Sequence, residues 1–421
     1  MGADGQPVRQ LLARVAEEFG TPAYVYFMPQ IRQRIEEVRQ AFGGRFRISY
    51  AVKSNPNPEL LRRMRGTVDL LDVSSAGEIE RAVRCGWPPS TLTFTGPGKT
   101  DRELEFAVRL GVGDVVLESL DEARLLSSIC IRLGVRQRVL VRLAPRCVPR
   151  GFGVHMSGKP TQFGVDEEDM EEVLEYICRV GHLDVSGFHA YSGTQCLRAD
   201  AIAENYEIFA DLFRRASRSA RVTPRRLVFG SGLGIPYHES DRPLDLAAVA
   251  GRTNARLDAL RREPEFTATE FVLETGRYLV GEAGVYLTRV VRTKRSRGTN
   301  IALCDGGMNH HLGAAGLLGS VIHRNYRMFK VTPDQGDEEE FTLVGPLCTT
   351  IDTLGRGVKF RGLGAGDLVG IECSGAYGLT ASPIHFIGHP PPREVVVDIR
   401  SGRVVLDDVS QFTATFPENA S

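Results

Sequence analysis

Eight cysteines lie scattered at 85, 130, 147, 178, 196, 304, 348 and 373, and no two of them stand in a Cys-x-x-Cys pair. That absence argues against a structural zinc site, and the irregular spacing is not that of a disulfide framework. No apolar run reaches the roughly 20 residues a bilayer span needs. The first residues, Met1-Gly2-Ala3-Asp4-Gly5-Gln6, lack both the basic and the apolar region of a secretory leader. An excess of charge of one sign is missing too, since 52 basic side chains meet 52 acidic ones. A chain so balanced has no global pull toward nucleic acid or an anionic membrane. The basic cluster from Arg292 to Arg297 reads as a solvated loop. The expectation is a globular protein of the reducing cytoplasm with free thiols.

What is present is a beat of short β-prone runs. They are Ile48 to Val52, Val68 to Leu71, Leu92 to Phe94, Val115 to Leu117, Val139 to Val141, Val185 to Phe188, Leu227 to Phe229 and Phe271 to Leu273. Helical patterns separate them: Leu60 to Met64, Ala76 to Cys85, Asp101 to Leu110, Leu120 to Leu133, Glu167 to Val180, Ala201 to Ala216 and Asp245 to Arg261. Strands alternating with helices imply parallel pairing, and eight such units predict a (β/α)₈ TIM barrel. A doubly wound open sheet is the alternative, disfavoured because no dinucleotide-type glycine fingerprint occurs. After Arg277 the texture changes to strands without long helices, which predicts an all-β C-terminal domain of sandwich or barrel type. The expected division is a barrel over 28–280, with 1–27 and 281–421 in the β-domain. Tyr24 to Phe27 is a spare strand for that second domain. The termini and the acidic stretch Pro333 to Glu340 are expected to be disordered.

In such a barrel the carboxyl ends of the strands share one mouth, where catalysis sits. Here they carry Lys53, Asp72, Arg142, His189, the loop Gly230-Ser231-Gly232-Leu233-Gly234, and Glu274 with Arg277. Each alone has a plain explanation, as a surface lysine, a helix cap, a surface pair or a core histidine. Together they do not. The glycine loop lets backbone N–H groups approach an oxyanion, and Arg277 offers it a two-pronged fork. An amine, a phosphate cradle, a carboxylate and a flat imidazole in one mouth match pyridoxal 5′-phosphate. The lysine would condense with its aldehyde, and the glutamate would hold the pyridine nitrogen protonated. Desolvation and nearby positive charge are expected to lower the pKa of Lys53.

Five spaced motifs carry a resemblance. Tyr50-Ala51-Val52-Lys53-Ser54-Asn55, Phe188-His189-Ala190-Tyr191-Ser192-Gly193, Glu274-Thr275-Gly276-Arg277, Gly345-Pro346-Leu347-Cys348 and Gly375-Ala376-Tyr377-Gly378 resemble the fold-type III pyridoxal-phosphate decarboxylases. That family includes the ornithine/arginine and diaminopimelate decarboxylases. The resemblance implies an alanine racemase-like barrel plus β-domain and a head-to-tail homodimer with shared active sites. It implies Lys53 as the cofactor-bearing lysine and His189 as the imidazole stacked on the ring. Ser192, Gly232, Arg277 and Tyr377 would hold the phosphate, with Gly230 and Gly276 beside them. Glu274 would meet the ring nitrogen, and Asp72 and Arg142 would lie near the lysine and the ring hydroxyl. Cys348 would reach in from the partner subunit to return a proton, and Asp352 would lie at the far end of the substrate.

The chain departs from the family pattern at three places. Thr275 stands for a proline and Ser231 for a cradle glycine. Thr349 replaces the acidic residue that in ornithine- and diaminopimelate-type enzymes recognises the distal amine. Shorter stretches, among them Gly193-Thr194-Gln195, Asp305-Gly306-Gly307-Met308-Asn309-His310-His311 and Ser382-Pro383-Ile384-His385, resemble decarboxylases of secondary-metabolite pathways. The butirosin-pathway type, which acts on a glutamyl group carried on an acyl carrier protein, is the nearest of these. The substrate is therefore expected to be an acidic or carrier-tethered aminoacyl group. His310 and His311, read as strand neighbours pointing to opposite faces, imply no metal. His310, Arg324 and Tyr326 are assigned with Asp352 to the substrate pocket. The resulting expectation is a decarboxylase. A diaminopimelate or ornithine/arginine type acting on a free amino acid, an amino-acid racemase and an inactive binding homologue are the alternatives.

Overall fold

The computed structural model describes residues 6–318 and 324–411. Eight parallel strands close into a barrel: Arg47–Ala51, Leu70–Val73, Leu92–Phe94, Asp114–Leu117, Gln137–Ala144, Leu183–Ala190, Arg226–Gly230 and Glu270–Thr275. The last returns to the first in a register running from Val272↔Arg47 to Thr275↔Tyr50. Helices Pro58–Arg63, Ala76–Arg84, Asp101–Leu110, Leu120–Leu133, Met170–Arg179, Ala199–Ala220 and Leu246–Arg262 alternate with the strands. Their ends are written locally. Ser75, Thr100 and Ser119 each accept from the backbone N–H three residues on, satisfying a donor the helix cannot. Gly111 and Gly134 stop two of them in the left-handed conformation.

The second strand begins two residues later than its apolar run, so Asp72 lies inside it, paired with Ala51 and Thr93. Arg142, His189 and Glu274 are likewise last-turn strand residues rather than loop residues. Strand pairing uses backbone groups only, so a polar side chain aimed into the mouth does not end it. Inside the barrel Leu70, Val116, Leu140, Val228 and Val272 form an apolar plug. At the amino ends of the strands an ion-pair ladder closes the floor. Arg226 pairs with both Asp114 and Glu270, and Arg47 reaches Glu270 at 2.5 Å.

The second domain is one branched sheet. Its main path runs Thr353–Arg361, Glu338–Val344, Thr299–Cys304, Gly284–Ser296, Ala23–Phe27, Arg393–Arg400 and Arg403–Asp408. Leu368–Ile371 joins Gly284–Ser296 and carries Met328–Lys330 on its other side. The spare strand Ala23–Phe27 sits mid-sheet, antiparallel to Gly284–Ser296 and parallel to Arg393–Arg400. Alternation sorts its residues. Ala23, Val25 and Phe27 face helix Gln6–Glu18 through Leu12, Val15 and Ala16, while Tyr24 and Tyr26 join the main core.

Part of the acidic stretch expected to be disordered is ordered: Glu338, Glu339 and Glu340 begin a strand paired with Arg361, Phe360 and Lys359. Opposite charges across the ladder offset the self-repulsion that composition alone suggests. Residues 1–5 and 412–421, also expected to be disordered, lie outside the described residues.

His310 and His311 are not strand neighbours. They follow a turn after Thr299–Cys304, and both are about 1% exposed. Burial lowers His310 to about 4 and His311 to about 3. The unfolded chain takes up protons near pH 6.5, whereas the native site refuses them until far lower pH. Stability from these neutral rings is therefore complete above about pH 6.5 and is lost as pH falls toward about 4. His311→Gln should melt below the wild type at pH 8, with the gap narrowing by pH 5. An unchanged gap in melting temperature would show that His311 titrates alike in both states.

Candidate active site

Lys53 lies in a single 3₁₀ turn, Val52–Ser54, directly after the first barrel strand. The following Pro/Asn loop is fastened on both sides. The Tyr50 hydroxyl donates to the Asn55 carbonyl at 2.9 Å, and Asn55 Nδ2 donates to the Gly375 carbonyl of the second domain at 3.0 Å. The Tyr377 N–H then donates to the Ser54 carbonyl at 2.8 Å. One loop thus fixes the lysine and delivers Tyr377 to it.

Lys53 Nζ is 3.0 Å from Asp72 Oδ2 and 3.9 Å from Glu274 Oε1. Both acids are buried, while the lysine side chain keeps 38% exposure and stays reachable from the mouth. The expected fall in its pKa does not occur. Burial opposes its charge, but Asp72 and Glu274 hold the amine well above the ordinary lysine value. Burial pushes the Asp72 carboxyl up and the charge of Glu274 adds to that, although Thr95 also donates to it at 2.5 Å. Burial alone would raise Glu274 as well. His189, with Nε2 2.8 Å from Glu274 Oε2, and Lys53 outweigh burial and hold it below the usual carboxylate range. The other ring nitrogen of His189 is buried with no hydrogen-bond partner among the described residues.

The glycine loop expected to cradle a phosphate follows the seventh strand. Gly230 ends the seventh strand, and a Cβ there would lie 2.2 Å from the Tyr191 ring. Gly232 has φ +65°, and a Cβ on it would lie 2.5 Å from Phe152. Ser192 Oγ and Arg277 Nε are buried with no hydrogen-bond partner among the described residues. Buried polar atoms without partners are rare. An anionic group seated here would supply what both lack, so the cradle fits a phosphate. Gly276 packs against Ser54 and leads into Arg277. The guanidinium of Arg277 lies 4.6 Å from the ring centre of Tyr377 and donates to the Tyr237 hydroxyl at 2.5 Å. Tyr237 in turn packs on Tyr326, with ring centres 4.7 Å apart.

Arg142 is buried, donates to Glu118 at 3.1 Å and lies beneath the Phe163 ring at 4.6 Å. The loop 149–163 is stitched to the site. Val154–His155 pairs with Gly193–Thr194, and the Met156 N–H donates to the Ser192 carbonyl at 2.7 Å.

The residues assigned to the substrate fare differently. Tyr326 stands next to Tyr237 at the edge of the phosphate site. Arg324 is exposed and paired with Asp241 at 2.7 Å. His310, assigned to the substrate pocket, is buried, with Asn309 at 3.1 Å on Nε2 and Tyr286 at 3.4 Å on Nδ1. Asp352 is buried as well. Its two oxygens accept from the N–H groups of Met308 at 2.7 Å and Leu347 at 2.8 Å, which makes it a clasp between two loops. Cys348 follows at once on the clasped Leu347 and is exposed; no described hydrogen bond ties it to this chain's own mouth. Glu118, Thr95, Phe163 and Tyr237 were missed. Glu118 and Thr95 were visible only as residues closing apolar runs, and Phe163 and Tyr237 carry no periodic signal at all.

Comparison with known proteins agrees with this geometry. Residues 28–281, more than half of the chain, match the family described as pyridoxal-dependent decarboxylase, pyridoxal binding domain. The L-glutamyl-[BtrI acyl-carrier protein] decarboxylase of Niallia circulans is 34% identical over 392 residues, covering 91% of this chain and 90% of that protein. The diaminopimelate decarboxylase of Aquifex aeolicus is 29% identical over 398 residues, covering 94% and 90%. Among solved structures, the diaminopimelate decarboxylase of Helicobacter pylori complexed with L-lysine superposes with a TM-score of 0.82 at 25% identity, covering 96% of each chain. With the family model matched over more than half of its length and a 34% identical relative aligned along most of it, the chain belongs to the pyridoxal-dependent decarboxylases and is a carboxy-lyase that uses pyridoxal phosphate.

Proposed function

We propose that the enzyme removes CO₂ from the Cα of an aminoacyl group tethered to a carrier protein, in a secondary-metabolite pathway. The observation that carries this reading is the likeness to a decarboxylase of a carrier-bound glutamyl group. Thr349 supports it: next to Cys348 there is a neutral hydroxyl, not an acid suited to a distal ammonium. Unpaired cysteines at all eight positions agree with a reducing cytoplasm.

Lys53 would hold the aldehyde carbon of the cofactor. Ser192, Gly232, Arg277 and Tyr377 would hold its phosphate, Glu274 its ring nitrogen, His189 its ring face, and Asp72 and Arg142 its surroundings. When bound, the cofactor supplies an electron sink for the pair released as the Cα–carboxylate bond breaks. The protein's own part is proton placement. Lys53 is an ammonium at neutral pH and must lose a proton before its lone pair is usable. Asp72, 3.0 Å away with its carboxyl raised by burial, is placed to take it. Glu274 stays ionised, as an acceptor facing a protonated ring nitrogen requires. The proton returned to Cα would come from Cys348 of a second copy, because this chain presents that thiol outward.

The substrate reading is tested by measuring CO₂ released by the cofactor-loaded enzyme from glutamyl carrier-protein thioester, free glutamate, diaminopimelate and ornithine. Turnover of the thioester should exceed that of each free amino acid. Preference for diaminopimelate or ornithine would overturn the tethered-substrate reading. Racemisation without carbon loss would overturn decarboxylation.

The shared site has its own test. Lys53→Ala and Cys348→Ala should each be severely impaired. Unfolded together and refolded as mixed dimers, they should recover about one quarter of wild-type activity, because half the dimers then hold one intact site of two. No recovery in verified heterodimers would place both residues in one chain's site.

A further inference from the structure

Glu118 stands just past the carboxyl end of the fourth barrel strand and is 5% exposed. Its Oε1 accepts from the Gly96 N–H at 2.9 Å, and its Oε2 from the Gly164 N–H at 3.0 Å and Arg142 Nη1 at 3.1 Å. These donors come from three places: the loop after the third strand, the far end of the 149–163 loop, and the fifth strand itself.

Each of them is anchored elsewhere. Thr95, next to Gly96, donates to Asp72 at 2.5 Å, so the same loop also touches the partner of Lys53. Lys99, at the end of that loop, pairs with Glu122 at 2.6 Å, and Glu122 accepts from the N–H of Glu118 at 2.7 Å. Gly164 leads into Val165–Asp166, which runs parallel to the end of the fifth strand. Phe163, just before it, lies over the guanidinium at 4.6 Å. Arg142 is thus held at one nitrogen and on one face. Nη1 is the guanidinium nitrogen hydrogen-bonded to a described residue, which leaves most of the five guanidinium N–H donors for a ligand.

A simple strut between loops does not need a charge. An apolar side chain would fill the same space without the desolvation that a buried ion pair demands. A carboxylate with three well-placed donors makes sense where the orientation of a cation matters.

We propose that Glu118 is a positioning residue. It fixes the guanidinium of Arg142 at the edge of the cofactor site and, through Gly164 and Phe163, couples that guanidinium to the 149–163 loop. The inference rests on the reading that Arg142 borders the cofactor.

The test is a double-mutant cycle on cofactor binding, using full-length Glu118→Gln, Arg142→Met and the double variant. Pyridoxal phosphate is titrated into each, and the absorbance of the bound cofactor is followed against pH. Each single variant should weaken binding about tenfold, and the double should be no weaker than Arg142→Met alone. The absorbance–pH midpoint should move in the same direction in all three. Amide exchange across 158–166 should quicken in Glu118→Gln. Additive losses, or a Glu118→Gln protein that melts lower but binds and titrates like wild type, would overturn the proposal. If Arg142→Met changes neither affinity nor midpoint, the reading of Arg142 itself has failed, which is a different result from a silent Glu118. Should Glu118→Gln not fold, Glu118→Asp runs the same cycle, keeping the charge but shortening its reach.

Discussion

One ammonium lies between two buried carboxylates, and the rest of the mouth is arranged around that imbalance. The register of three strands produces it. Ala51, two residues before the lysine, pairs with Asp72 on one side, and Ser49 pairs with Glu274 on the other. Side chains from neighbouring strand ends therefore converge on Lys53 without any loop having to place them. Two acids against one amine leave a proton to be shared. Burial pushes both carboxyls up; His189 and Lys53 overcome it at Glu274, which stays ionised, whereas at Asp72 burial and the charge of Glu274 prevail. The two carboxylates, both buried, acquire different properties from their different neighbours: His189 on the sixth strand for Glu274, and Thr95 in the loop after the third strand for Asp72.

The two ends of the barrel divide the work. At the amino ends Asp114, Arg226, Glu270 and Arg47 pair with one another and close the floor, with Ser186 donating to Asp114 at 2.6 Å. There almost every charge has its partner. At the carboxyl ends the opposite holds: Ser192 Oγ, His189 Nδ1 and Arg277 Nε are buried with no hydrogen-bond partner among the described residues. A fold that satisfies its polar groups at one end and leaves them open at the other has stability at the first and ligand binding at the second. The apolar plug of Leu70, Val116, Leu140, Val228 and Val272 separates them.

How much of this was legible in the sequence depended on the kind of signal. The barrel strands announced themselves because a buried parallel strand is a short apolar run, and its closing residue is where chemistry collects. Lys53, Asp72, His189, Glu274 and Arg277 were all found that way. Gly230 and Gly232 were readable because bare backbone at a cradle demands glycine. Strand ends were less legible: Asp72 looks like a terminator in sequence, yet the backbone ladder continues through it. The partners that bury His310 and Asp352 were as illegible as those of Glu118. A buried polar residue's partners come from other elements, and local pattern does not say whether its donors and acceptors are already used. Glu118 accepts from three distant segments, and none of them has a sequence spacing that points back to it.

The clasp at Asp352 changes how the second domain relates to the site. Its carboxylate pulls Leu347 and Met308 together, and a Cβ on Gly307 or Gly345 would lie 2.2–2.3 Å from that carboxylate. Both glycines are thus required by the acid, and the acid by the two N–H groups it satisfies. The loop built this way holds Leu347 inward, next to Met308 and Ala315, and turns Cys348 outward. Exposed Ile351, Leu317 and Leu318 belong to the same loop and the segment after His311. A thiol held on a rigid loop among exposed aliphatic groups is suited to contact with another molecule. A rigid loop also places its sulfur reproducibly, as proton delivery to a single carbon requires. Asp352 therefore fixes the loop that carries Cys348.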